Sequence, residues 1–108
     1  MRKLELDKCK LKRYTLYMIK SFRHKDLREL FLTGKSSKVG LSLQKRIIRR
    51  LDALDQAEDL QDLNIPGFNF HGLHSKPKRF SVHVNGPWCL TFEWQDQHVY
   101  LVDLEQYH

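Results

Sequence analysis

From Phe80 onward, apolar and polar residues alternate with a period of two, and the pattern runs twice. Phe80, Val82 and Val84 precede the turn Asn85-Gly86-Pro87, and Trp88, Leu90, Phe92 and Trp94 follow it. Successive side chains of an extended strand point to opposite faces. The alternation therefore predicts an antiparallel hairpin whose large apolar side chains share one face. Cys89, Thr91 and Glu93 share the other, where Ser81 or His83 is expected to meet Cys89 across the hairpin. Gln95-Asp96 then turns the chain into a further strand from Val99 to Leu104, and residues 68–74 read as a strand ahead of the hairpin, which makes a meander.

A sheet with one apolar face must be covered, and the upstream sequence supplies the cover. "HKDLRELFLTGK" places Leu27, Leu30 and Phe31 at helical spacing and stops at Gly34, a residue suited to a helix C-terminus. "SLQKRIIRRLDALDQA" repeats apolar residues at Leu43, Ile47, Leu51 and Leu54, which predicts a second helix with Ser42 as its N-cap. Before both, "MIKSF" suits a short strand that buries Ile19 and Phe22, and Pro66-Gly67 marks the turn from helical to β-rich sequence. The expected fold class is α+β, a small antiparallel sheet with two helices packed on one face.

With 108 residues this is one domain with a modest core, and its 12 aromatic residues suit a folded globular chain. The apolar runs are far too short for a membrane span. Cys9 and Cys89 stand in no metal-ligand spacing, so neither a metal nor a cofactor is expected, and a cytoplasmic location is the simplest expectation.

The formal charge of +6 is concentrated at the start of the chain: residues 1–17 hold six Lys/Arg against two acids, residues 18–108 hold 13 against 11. The chain accordingly divides into a basic N-terminal extension, residues 1–17, and a domain, residues 18–108. The extension reads either as an arm that touches RNA or as a frayed extension ahead of an alternative start at Met18. Lys45, Arg46, Arg49 and Arg50 are assigned to the side of the second helix opposite its apolar stripe. That side suits solvent, RNA or an acidic protein that a basic face could steer.

Three segments together resemble a known family: "MIKSFRHKDLRELF", "LNIPGFNFHGLHS" and the closing "FSVHVNGPWCLTFEW…VYLVDLEQYH". They are similar in order and spacing to the HigB toxins, a branch of the RelE superfamily of toxin-antitoxin ribonucleases, over residues 18–108. The resemblance implies a RelE-like fold and a ribosome-dependent endoribonuclease that cuts messenger RNA in the ribosomal A site without a metal. It also implies inhibition by a HigA-like helix-turn-helix antitoxin, with DNA met only through that antitoxin.

The family pattern carries a His that matches His71, and a terminal Tyr-His that matches Tyr107 and His108. These three are the catalytic candidates that the resemblance implies. His74 stands where the pattern has Lys, Gly72 where it has Pro, Gln106 where it has Asp, and Cys89 where it has Arg. Cleavage through the neighbouring 2′-hydroxyl needs a base, an acid for the departing 5′-oxygen and a cation or donor for the phosphorane charge. Histidine serves either proton role near neutral pH. A thiol cannot replace a guanidinium in the third role. The expected compensation comes from His74, Lys76, Lys78 and Arg79 as RNA-binding residues, and without it Cys89 and Gln106 are expected to weaken or abolish cleavage. The alternative function is then an impaired relative that titrates the antitoxin or occupies the ribosome.

Overall fold

The computed structural model describes residues 17–36 and 38–106. Its elements follow in the order α1 (Lys25–Thr33), α2 (Leu41–Gln56), a short 3-10 helix (Leu60–Leu63), β1 (His71–Gly72), β2 (Phe80–Asn85), β3 (Trp88–Gln95) and β4 (His98–Gln106). The four strands form one antiparallel sheet in the order β1-β2-β3-β4. With two helices against one face, this is the expected α+β architecture. No helix among the described residues is long and apolar enough to cross a membrane.

The period-two alternation sets the core. Val82, Leu90 and Phe92 are fully buried under the helices, and Trp88 and Trp94 pack half-buried at the margins. Leu27 and Leu30 of α1 and Ile47, Leu51 and Leu54 of α2 meet them at 0–1 % exposure. Each such side chain contributes about 1.5–3 kcal/mol by leaving water. Both hairpin turns need left-handed backbone. Gly86 opens the first at φ 56°, and Asp96 and Gln97 form the second at φ 52° and 65°.

The observed structure departs from the expected one at four places. Residues 68–74 are not a full strand. Only His71 and Gly72 pair with β2, because Asn69 turns the chain at φ 45°. "MIKSF" forms two isolated parallel bridges to β4, Ile19 to Val99 and Phe22 to Val102, rather than a strand, yet Ile19 is buried and Phe22 packs on the core as expected. Helix α2 starts at Leu41 with Gly40, not Ser42, as its N-cap. Finally, Arg50 is buried at 6 % exposure, not displayed with Lys45, Arg46 and Arg49.

The last difference has a geometric cause. Position 50 lies three residues after Ile47 and four before Leu54, on the flank of the apolar stripe. From there Arg50 Nε donates to the carbonyl of His83 at 2.9 Å and the guanidinium lies 4.6 Å from the centroid of Phe68. Burial, with Arg46 and Arg49 close by, lowers its pKa from the usual value. Gln44 is similarly buried and donates to the carbonyls of Ser36 and Val39 at 2.8 and 2.7 Å, which fixes the loop between the helices.

Strand β4 carries the irregularity that shapes the rest of the molecule. Its pairing with β3 advances from Thr91–Asp103 to Glu93–Tyr100, two residues against three, so β4 holds a bulge. Leu101 sits in it at φ 53°, unusual for a branched side chain. The extra residue reverses the alternation, and Val99, Val102 and Leu104 all turn to the core side. The displaced Leu101 N–H donates to Ser21 Oγ at 2.9 Å, and its carbonyl accepts from Arg79.

Candidate active site

On the face of the sheet away from the helices the register lays the side chains out in rows, and at their centre Ser81 and Thr91 are buried, at 0 % and 2 % exposure. One row runs His71, Ser81, Thr91, Asp103 across all four strands, and the next runs His83, Cys89, Glu105. The expected meeting of Cys89 with His83 is thus observed. Cys89 is buried at 3 % exposure.

Of the catalytic candidates, His71 stands at the β1 end of the first row, half-buried. Its Nδ1 donates to the carbonyl of Asn69 at 2.8 Å. With Nδ1 as the donor, the neutral ring carries its proton there and Nε2 is its acceptor nitrogen. Tyr107 and His108 lie outside the described residues, immediately after the end of β4, where Gln106 pairs with Trp88.

The four RNA-binding candidates separate into two kinds. His74, Lys76 and Lys78 are exposed in the loop between β1 and β2, where they line a shallow depression with Leu73 and Ser75. Lys78 lies back over β1, with its ammonium 5.9 Å from the Phe80 ring centroid. A Cβ at Gly72 would stand 2.9 Å from Lys78 Cε and Nζ, so glycine at position 72 makes room for this lysine.

Arg79 is of the second kind. It is 8 % exposed, and its Nη2 donates to Thr91 Oγ1 and to the Leu101 carbonyl, both at 3.0 Å. Its Nη1 lies 3.4 Å from Glu93 Oε2. The guanidinium therefore ties β2 to β3 and to the β4 bulge, and its donors are directed into the protein. Of the four cationic candidates, it is the one placed beside Thr91, two residues along the same face from Cys89.

Sequence reasoning put Cys89, Thr91 and Glu93 on this face but gave Thr91 and Glu93 no role, and it missed Glu105. The hydroxyl of Thr91 donates to Glu105 Oε2 while accepting from Arg79, so the three side chains form one chain of hydrogen bonds. Period-two spacing alone signals Thr91. Nothing local signals Glu105, because the bulge at Leu101 decides which way it faces.

The matched family model is that of HigB-like toxins, described as the RelE-like toxin of the type II toxin-antitoxin system HigB, and it covers residues 20–108. The chain is 36% identical over 92 residues to Endoribonuclease HigB of Proteus vulgaris, a match covering 84% of this chain and 100% of that protein. It is also 32% identical over 65 residues to an uncharacterized protein of Haemophilus influenzae, covering 58% of this chain and 64% of that one. The chain therefore belongs to the HigB-like family of RelE-like toxins of type II toxin-antitoxin systems, a class whose members act opposite an antitoxin partner.

Proposed function

We propose that this toxin is a metal-independent, ribosome-dependent endoribonuclease that cuts messenger RNA in the A site of the cytoplasmic ribosome. The observation that carries this reading is the match to Endoribonuclease HigB along that protein's whole length, together with the half-buried His71 at the β1 edge of the sheet face away from the helices. His71, Tyr107 and His108 are the proposed catalytic group. The histidines supply proton transfer, and Tyr107 stacks on a base or hydrogen-bonds the phosphate. His74, Lys76 and Lys78 are proposed to hold the RNA backbone from the exposed loop. Arg79 is reassigned. Buried and bonded to Thr91, Leu101 and Glu93, it holds the sheet rather than a phosphate. The inhibitory partner is proposed to be a HigA-like helix-turn-helix antitoxin, with DNA contacted only through it. Residues 18–108 are the toxin domain in this reading and residues 1–17 an extension to it.

The test is induction of the chain in bacteria without its antitoxin, followed by mapping of messenger 5′ ends. Growth arrest with new ends inside codons, in frame, is the expected outcome. Normal growth with an unaltered set of ends would overturn the reading.

A further inference from the structure

Among the described residues three large apolar side chains are exposed, and two of them, Leu32 at 49 % and Leu41 at 81 %, flank the connection between the helices. Leu32 is the penultimate residue of α1 and Leu41 the first of α2. The corner between them is firmly built. Buried Gln44 donates to the carbonyls of Ser36 and Val39, and the N–H of Gly34 closes α1 on the Leu30 carbonyl at 2.8 Å. Ser36 and Val39 are themselves buried. A single exposed leucine is ordinary on a protein surface. Two at one rigid corner, each lining a shallow hollow, mark a place where another molecule can cover them.

The charge around these leucines is of one sign. Leu32 lines its hollow with Lys25, Arg28 and Lys38, which outweigh Asp26 and Glu29 there. Leu41 lines the other with Lys35 and Val39, and no acid reaches that hollow. Lys45, exposed, follows Leu41 by one turn of α2. The first turn of α2 holds no acid either, so the positive end of the helix adds to the field. The corner is therefore apolar at two points and positive around them.

That combination discriminates between occupants. A second copy of this chain would set like charge against like. RNA would use the cations, but single strands are held by aromatic stacking, and neither hollow has an aromatic ring. Two leucines are also too small an apolar area to hold a lipid surface. An amphipathic helix with acidic flanks meets both demands, because its apolar stripe covers the leucines while its carboxylates face the lysines. We propose that the corner between α1 and α2 is the docking site for an acidic amphipathic helix of the antitoxin, with Leu32 and Leu41 as apolar anchors and Lys35, Lys38 and Lys45 as charge partners. This rests on the antitoxin partner that family membership gives, not on the reading of the chain as a ribonuclease.

The probe is the full-length antitoxin encoded beside this toxin, and its association and dissociation rates with the full chain are measured at about 0.1 M and about 1 M salt. Leu32→Ser and Leu41→Ser alter exposed side chains and should melt as the native chain does. Each should weaken binding about tenfold or more through faster dissociation, at both salt concentrations. Lys38→Glu with Lys45→Glu should instead slow association severalfold at low salt, and high salt should erase that difference. In cells without antitoxin the two leucine variants should arrest growth as the native chain does. Leucine variants that both bind antitoxin within about threefold of the native chain would overturn the proposal. So would variants that keep the antitoxin and lose the ribosome, which would make the corner an RNA surface. A native chain that binds antitoxin yet leaves growth untouched would overturn the ribonuclease reading and leave the docking site standing.

Discussion

Arg50 shows how one residue can be misplaced by its charge. Counted as part of a basic face, it belongs with Lys45, Arg46 and Arg49; counted by helical position, it belongs beside Ile47 and Leu54. Position wins because the stem of an arginine packs as an apolar chain and the head found a carbonyl and an aromatic ring. Hydrogen bonds from charged groups contribute about 1.5–3 kcal/mol, and the contact with Phe68 adds about 0.5–1 kcal/mol. Arg50→Met, which keeps most of the packing, should therefore lower stability by about 2 kcal/mol in chemical denaturation without altering ribosome binding. The spacing needed to place Arg50 was legible in the sequence. The carbonyl of His83 that it satisfies was not, since that pairing is set by how α2 crosses β2.

At the scale of elements, the hairpin of β2 and β3 could be read almost whole from alternation and turn residues, including the meeting of His83 with Cys89. Strand β4 could not. Uninterrupted alternation from Val99 would have carried Leu101, Asp103 and Glu105 to one face and set two carboxylates against the core. The bulge at Leu101 prevents this, turning Val102 and Leu104 inward and Asp103 and Glu105 outward. The cost is a left-handed leucine and a displaced N–H, and the partners that accommodate it, Ser21 and Arg79, lie 80 and 22 residues away in sequence. No local pattern encodes such a contact, which is why the sheet face was only half legible: His71 was visible in the sequence and the outward turn of Asp103 and Glu105 was not. Ser21→Ala should leave the Leu101 N–H without its acceptor and cost about 1–3 kcal/mol. Thermal melting and hydrogen exchange at Leu101 measure it, and an unchanged melting temperature would show that the bulge stands without Ser21.

The whole molecule is electrically polarised in a way its net charge conceals. Residues 18–50, which include both bridges to β4, all of α1 and the first part of α2, hold ten Lys/Arg against two acids. Residues 51–108, which supply the end of α2, the 3-10 helix and the sheet, hold three against nine, and five of those acids precede the sheet. The basic region is thus α1 with the first part of α2, and Lys45, Arg46 and Arg49 are exposed on it. Such a field steers an acidic partner before contact. On this account the antitoxin docks partly on α2, and Arg46→Glu with Arg49→Glu should slow its association severalfold and flatten the dependence of that rate on salt. Stopped-flow mixing at several salt concentrations would decide it, and an unchanged rate would remove this face from the interface. Arg50, buried, is outside that prediction.

The most direct measurement is the chemistry of the cut itself. Purified ribosomes carrying a message of known sequence in the A site, mixed with the native chain, should release a fragment ending in a 2′,3′-cyclic phosphate within the A-site codon. Its partner should begin with a 5′-hydroxyl, and a chain lacking Tyr107 and His108 should leave the message whole although it melts normally. Message that survives the native toxin on occupied ribosomes, or fragments that carry a 5′-phosphate, would contradict the account.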